Sequence, residues 1–284
     1  MTDNFDDKYP ADSSRRRFVR GVVGSAALAG VGTASATIID TATTPPGFGG
    51  GPTTYRGAEQ VGGPAPRGLP QIPIEVDDDG YVIGIWPELR EVEVDGRTVV
   101  VAEMDLAGET YESLWFQYCG IQSAPGIVPD ADHDNFLHYT RSSNYDWQTE
   151  EKEGGERLHI SDFDDYRDHA EPIGTPGLGK AAQARWRSEG EAPRDVIPVQ
   201  VIRSHLVEEA AENDEWLSVS TDQGFIAFLN QCTHFCCVPG WKTYRDAPQF
   251  NAEDKIYCQC HQSVFDPFSI VTETFFSLPR PEDR

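Results

Sequence analysis

Positive charge is what this chain has least of. Lys and Arg number 23 against 47 Asp plus Glu, only five of those 23 are Lys, and the formal net charge is −24. Such a surface repels nucleic acid and anionic lipid alike, so no nucleic-acid partner is expected. Apolar residues are also on the low side at 38%, yet there are too many of them for a disordered chain. A real core is therefore expected over part of the 284 residues, with polar segments attached. Cysteine is scarce too. Five of the six fall between Cys232 and Cys260, which excludes a scattered disulfide framework and points to one local device. The acid excess has two readings. One is an ordinary soluble acidic protein; the other, favoured here, is adaptation to very high salt, where carboxylates hold hydration and screening leaves little self-repulsion.

The N-terminus reads as an address. Ser14-Arg15-Arg16-Arg17-Phe18-Val19-Arg20 precedes an uncharged stretch from 21 to 39, the form of a twin-arginine export signal. Nineteen helical residues span about 28 Å, close to the hydrocarbon thickness of a bilayer. The four arginines on one side fix a cytoplasmic N-terminus by the positive-inside rule. A retained transmembrane anchor is favoured over cleavage, for which Ala34-Ser35-Ala36 would serve as the site.

Residues 40–70 are dense in Pro and Gly, notably from 43 onward, and read as a hinge linker unable to hold a helix or a central strand. A head domain is expected over 71–284, with short strands near 81–86 and 98–104. Residues 130–195 carry many Asp and Glu and few apolar runs. They read as a solvated acidic insertion, partly helical at 180–186, in which His133, His138, His159 and His169 are read as solvated in preference to forming a metal site. Strand patterns resume at 196–202. The runs 216–220 and 225–229 read as a hairpin around Asp222-Gln223-Gly224, aimed at the first cysteines.

Two boxes carry the chemistry, Cys232-Thr233-His234-Phe235-Cys236-Cys237 and Cys258-Gln259-Cys260-His261-Gln262-Ser263. Each offers a thiolate and an imidazole in close succession. Two Cys on one iron and two His on the other is the ligand set of a Rieske [2Fe–2S] centre. A structural zinc site would satisfy the count, but its usual spacing groups Cys with Cys and His with His. A pure disulfide module would leave both histidines without a role.

The boxes resemble the C-T-H-x-G-C and C-P-C-H-G-S motifs of Rieske proteins from cytochrome bc-type quinol oxidase complexes, and Cys237-Val238-Pro239-Gly240 is similar to that family's continuation after the first box. The scarcity of Lys resembles haloarchaeal members. The resemblance implies an all-β head of stacked antiparallel sheets with a small cluster-binding subdomain at 230–268. It implies one cluster per chain, held by Cys232 and Cys258 on the buried iron and by His234 and His261 on the outer one. It further implies a disulfide between Cys237 and Cys260, a hydrogen bond from Ser263 to a bridging sulfide, and His261 as the residue that meets the quinol, with His234 beside it.

Three departures stand out. Cys236 and Gln262 replace family glycines, so the backbone there is expected to avoid φ > 0. Phe265 stands where high-potential members have a tyrosine, which favours menaquinol. The 23 residues between His234 and Cys258 exceed the usual number, so an enlarged loop is expected at 241–250. Cys236 is read as a buried small side chain in preference to a spare thiol beside the cluster, and Cys119 receives no role.

The function implied is electron transfer as the iron–sulfur subunit of a quinol–cytochrome c (or blue-copper) oxidoreductase. The partners would be a cytochrome b-type membrane subunit, quinol, and a cytochrome or blue-copper acceptor. The head would be extracytoplasmic and swing on the 43–70 tether. Alternatives are the small Rieske subunit of a molybdenum oxidase of the arsenite oxidase kind, a nitrate-respiring complex, and, remotely, a zinc-binding structural protein.

Overall fold

A computed structural model describes residues 50–281 except Asp95. The segment 1–39, where the export signal and anchor are expected, lies outside the described residues. Among those described, no helix is long and apolar enough to cross a membrane.

The fold is mostly β, as expected, and every strand pair is antiparallel. The strands are β1 (Gly51–Gly62), β2 (Leu69–Ile72), β3 (Ile74–Val76), β4 (Val82–Gly84), β5 (Leu89–Val94), β6 (Arg97–Leu106), β7 (Glu109–Glu112), β8 (His138–Tyr139), β9 (Lys180–Trp186), β10 (Ile197–Arg203), β11 (Phe225–Leu229), β12 (Gly240–Trp241), β13 (Ile256–Cys258) and β14 (Ser263–Ser277). Nine of them form one sheet in the order β12-β13-β14-β1-β2-β11-β10-β9-β8; β3 with β4, and β5 through β7, make two smaller sheets.

The hinge expected at 40–70 is overturned where it can be examined. Residues 51–62 are a central strand paired with β14 from Gly51↔Ser277 to Gly62↔Val264, and β2 follows after a short turn. Its glycines allow close approach rather than looseness. A Cβ on Gly57 would stand 2.3 Å from the Leu69 carbonyl oxygen, so only glycine lets β1 and β2 meet there.

The acidic stretch 130–195 is not a solvated insertion either. Leu137, Tyr139, Tyr145, Leu158 and Phe163 are fully buried, and β9, expected as helix, is a buried strand between β8 and β10. Its Ala-rich sequence favours helix, but pairing on both sides decides against that weak preference. The histidines pair with protein groups instead of water. His138 bridges the Gly155 carbonyl and Asp134, and His169 lies between Asp165 and Glu171. Such pairing holds His169 above its ordinary value, Glu171 contributing most.

The hairpin expected at 216–229 is half right. β11 forms, but 215–220 is a short helix, because Asp214 caps it by accepting from the Leu217 N–H. Among the described residues two other helices, Asp146–Glu151 and His205–Ala211, are also short, six and seven residues. The enlarged loop at 241–250 is present and contains a 3-10 turn, Ala247–Phe250.

The main core fills the large sheet with aromatic residues, Trp115, Trp186, Phe225 and Phe228 among them. A second, small core of Ala247, Ala252, Tyr257 and Val264 belongs to the 240–264 region. The strand β14 joins the two, pairing with β1 from Val264 to Ser277 and, on its other side, with β13 at Ser263–Phe265.

Candidate metal centre

Three loops meet at one end of β14. The first box is the loop from β11 to β12, drawn into a tight ring because the Cys232 N–H donates to the Cys237 carbonyl (2.8 Å) and the Cys236 N–H to the Cys232 carbonyl (3.0 Å). The second box is the β13–β14 turn, closed by the Cys258↔Ser263 pair. The third is the β1–β2 turn, Gly63-Pro64-Ala65-Pro66-Arg67-Gly68, which the sequence reading had placed in a tether.

The four expected ligands come together. Cys232 and Cys258 are both buried and both free of disulfides. Their thiols hydrogen-bond each other, and this bond is the leading cause that lowers the Cys232 thiol and raises that of Cys258. The N–H groups of His234 and Phe235, with the Ser263 hydroxyl, further favour a thiolate at Cys232; those of Cys260 and His261 act likewise on Cys258. The imidazoles of His234 and His261 stand edge to face with ring centroids 4.8 Å apart. His261 is exposed, while His234 is half-buried with its Nδ1 buried and unpartnered. An unpartnered buried nitrogen costs about 1–3 kcal/mol unless a ligand or metal takes it.

Cys237 and Cys260 form a disulfide that ties the first box to the second, Cα to Cα 6.6 Å. The sulfurs of Cys237, Cys258 and Cys260 all lie within 4.8 Å of one another, but two of them are spent on each other. The free donors are thus two thiols and two imidazoles. This donor set fits the mixed ligation of a Rieske cluster, and the unpartnered His234 Nδ1 fits a metal bond. An apolar side chain flanks the exposed histidine: Phe235, 65% exposed, lies 5.2 Å from His261 ring to ring.

Two sequence expectations fail here. Cys236 and Gln262 do adopt positive φ, 62° and 56°, in spite of their side chains. And Cys236 is not a buried small side chain: it is exposed and forms a second disulfide with Cys119 (Cα to Cα 5.4 Å), which also sits at positive φ. The crosslink holds the first loop to the segment after β7, where the Tyr118 hydroxyl donates to the Gln231 carbonyl. Setting aside two ligands leaves four cysteines, an even number in a chain read as exported. That count was the available signal for a second bridge.

The third loop was missed altogether. The Ala65 N–H donates to the Ser263 hydroxyl (3.2 Å), and the Thr233 hydroxyl donates to the Arg67 carbonyl. Gly63 has φ 76°, and a Cβ there would lie 2.2 Å from the Gln262 carbonyl oxygen. Arg67 anchors the loop with its guanidinium 3.9 Å above Phe275 and 4.3 Å from Tyr118. Phe265 is fully buried and offers no hydroxyl; the nearby Tyr257 turns its own to Asp246.

No family model, no curated protein and no solved structure matches this chain.

Proposed function

We propose that Cys232, His234, Cys258 and His261 hold a Rieske-type [2Fe–2S] cluster and that the protein is a one-electron carrier. The observation that carries this reading is the pairing of two free buried thiols with two adjacent imidazoles, while neighbouring cysteines are tied up in disulfides. The cluster supplies a one-electron couple at a potential above that of all-thiolate clusters, about −150 to +300 mV against about −400 mV.

The chain's own groups do the rest. Backbone N–H groups and Ser263 stabilise negative charge on the sulfurs, and the two disulfides and the third loop hold the geometry. His261 is exposed to accept a hydrogen bond from a quinol hydroxyl, with Phe235 offering an apolar surface to the ring. Phe265 withholds a hydroxyl donor from the site, which lowers the potential and suits menaquinol. The protein then acts as the iron–sulfur subunit of a membrane quinol-oxidising cytochrome bc-type complex. Its partners are a cytochrome b-type subunit and a cytochrome or blue-copper acceptor. Residues 51–62 and 69–70 are paired in the sheet and do not serve as a tether for a swinging head.

Metal analysis of the full chain tests the ligand set. Iron and acid-labile sulfide are expected at about two each per chain, and Cys258→Ser should lose both. Stoichiometric zinc without iron would overturn the assignment.

A further inference from the structure

The enlarged loop 241–250 folds back over the second box. Ala247 is buried in the small core, Phe250 stacks on Tyr257 with ring centroids 5.5 Å apart, and Tyr244 meets the same ring edge-on at 6.1 Å. This packing brings Asp246 against the residues on either side of the candidate ligand Cys258. The Tyr257 hydroxyl donates to one carboxylate oxygen, Oδ2 (3.1 Å), and the Gln259 amide Nε2 donates to the other, Oδ1 (3.3 Å). The carboxylate therefore spans Cys258, one oxygen bound to the residue before it and the other to the residue after.

The charge of Asp246 is not cancelled locally. Lys242 and Lys255, the lysines of this region, pair with Asp254 and Asp266, and among the described residues no cation stands within ion-pair distance of Asp246. The side chain is half-buried, where salt screens a charge less than at an exposed site. Its influence overlaps that of the ligand. Burial first, then the bond and charge of Asp246, then the charge of Cys258 push the Tyr257 hydroxyl up to about 12, so a single hydroxyl feels both groups.

We infer, resting on the cluster reading above, that Asp246 is a positioning residue with two effects. It braces the second box through Tyr257 and Gln259, and as a fixed negative charge beside Cys258 it lowers the reduction potential of the site. One-electron reduction adds one negative charge where a carboxylate already stands. Like charges repel, so the reduced form is disfavoured relative to the oxidised one. The backbone N–H groups of Cys260 and His261, which favour negative charge on Cys258, act in the opposite direction, and Asp246 sets a limit on their effect.

Redox titration of the full chain with dithionite, followed by electron paramagnetic resonance, tests this on the native protein, Asp246→Asn and Tyr257→Phe. Asp246→Asn keeps the shape of the side chain and removes its charge. Its midpoint should shift upward, favouring reduction roughly threefold or more (about 28 mV, at about 59 mV per tenfold for a one-electron couple). Tyr257→Phe removes a donor and leaves the charge, so its midpoint should not rise. Hydrogen exchange reads the bracing: Asp246→Ala should quicken exchange across 257–262 and leave 225–229 protected. A native signal whose midpoint is unmoved or lowered in Asp246→Asn would overturn the inference and leave the cluster reading standing, as would an equal rise in both variants. Unchanged exchange across 257–262 would overturn the bracing. A native protein with no reducible signal would sink the cluster reading, and this inference with it.

Discussion

Followed from Ser277 to Ser263, β14 passes from one kind of structure into another. At the Ser277 end it lies beside β1 over a core of large aromatic side chains, and burial of apolar surface holds the region together. At the Ser263 end the apolar core shrinks to Ala247, Ala252, Tyr257 and Val264, too little to fix a loop cluster alone. There, covalent and polar clasps take over. Two disulfides bind the first box, and Lys242 reaches Asp254 and the Thr175 carbonyl while Thr175 donates twice to Asp254. The tip also holds residues at positive φ that lack glycine's freedom, Cys236 and Gln262. The contrast teaches that the site's shape is imposed on its loops by crosslinks and by the base, not by local preference.

Substitution in the base should act on the whole molecule. Phe163→Ala removes a fully buried ring packed between Trp147 and Phe225. It should cost about 3–5 kcal/mol, read as a shifted denaturation midpoint. An unchanged midpoint would mean that the acidic 130–195 stretch is no part of the core. Cys237→Ser should act on the tip alone, by about 3 kcal/mol. Hydrogen exchange is expected to quicken across 232–263 while protection in β9 to β11 stays. A uniform loss of protection would erase the distinction between the regions.

The base should also answer to pH. Glu112 faces Glu103 across the β6–β7 pair, and burial first, then that neighbour, raise its carboxyl from 4.5 to about 7. The folded state thus keeps a proton that the unfolded state releases near 4.5, so stability falls as pH rises from 4.5 to about 7 and is flat above. Glu112→Gln should abolish that slope and stabilise the protein at pH 8 by on the order of 2 kcal/mol, seen in melting curves. A slope that survives would place its origin elsewhere. The smallest effect is expected of Gln262→Gly, which relieves a left-handed conformation in the tip and should gain about 1 kcal/mol. A loss instead would mean that the Gln262 side chain itself braces the turn.

What could be read from the sequence divides along the same line. The four candidate ligands stood out as two Cys/His pairs at short spacing, and the Cys237–Cys260 bridge was implied by the resemblance of the two boxes. The strand at 225–229 was legible because its apolar run is continuous, and that at 197–203 because its β-branched residues alternate with Pro198 and Gln200. Residues 51–70 were misread because glycine that permits close approach, as at Gly57, looks the same in sequence as glycine that permits flexibility. The 130–195 stretch was misread because Tyr139, Trp147, Leu158 and Phe163 enter the core singly, each flanked by polar residues, so no periodic run marks them. The third loop and the Cys119–Cys236 bridge depend on contacts between residues far apart in the chain, which no local pattern reports.

An electron paramagnetic resonance spectrum of the dithionite-reduced full chain bears most directly on the proposed metal centre. A rhombic signal of the Rieske kind, lost in His261→Gln, is predicted. A silent spectrum from a colourless zinc-loaded protein, or the spectrum of an all-thiolate cluster, would contradict the mixed thiolate and imidazole ligation and the electron-transfer role built on it.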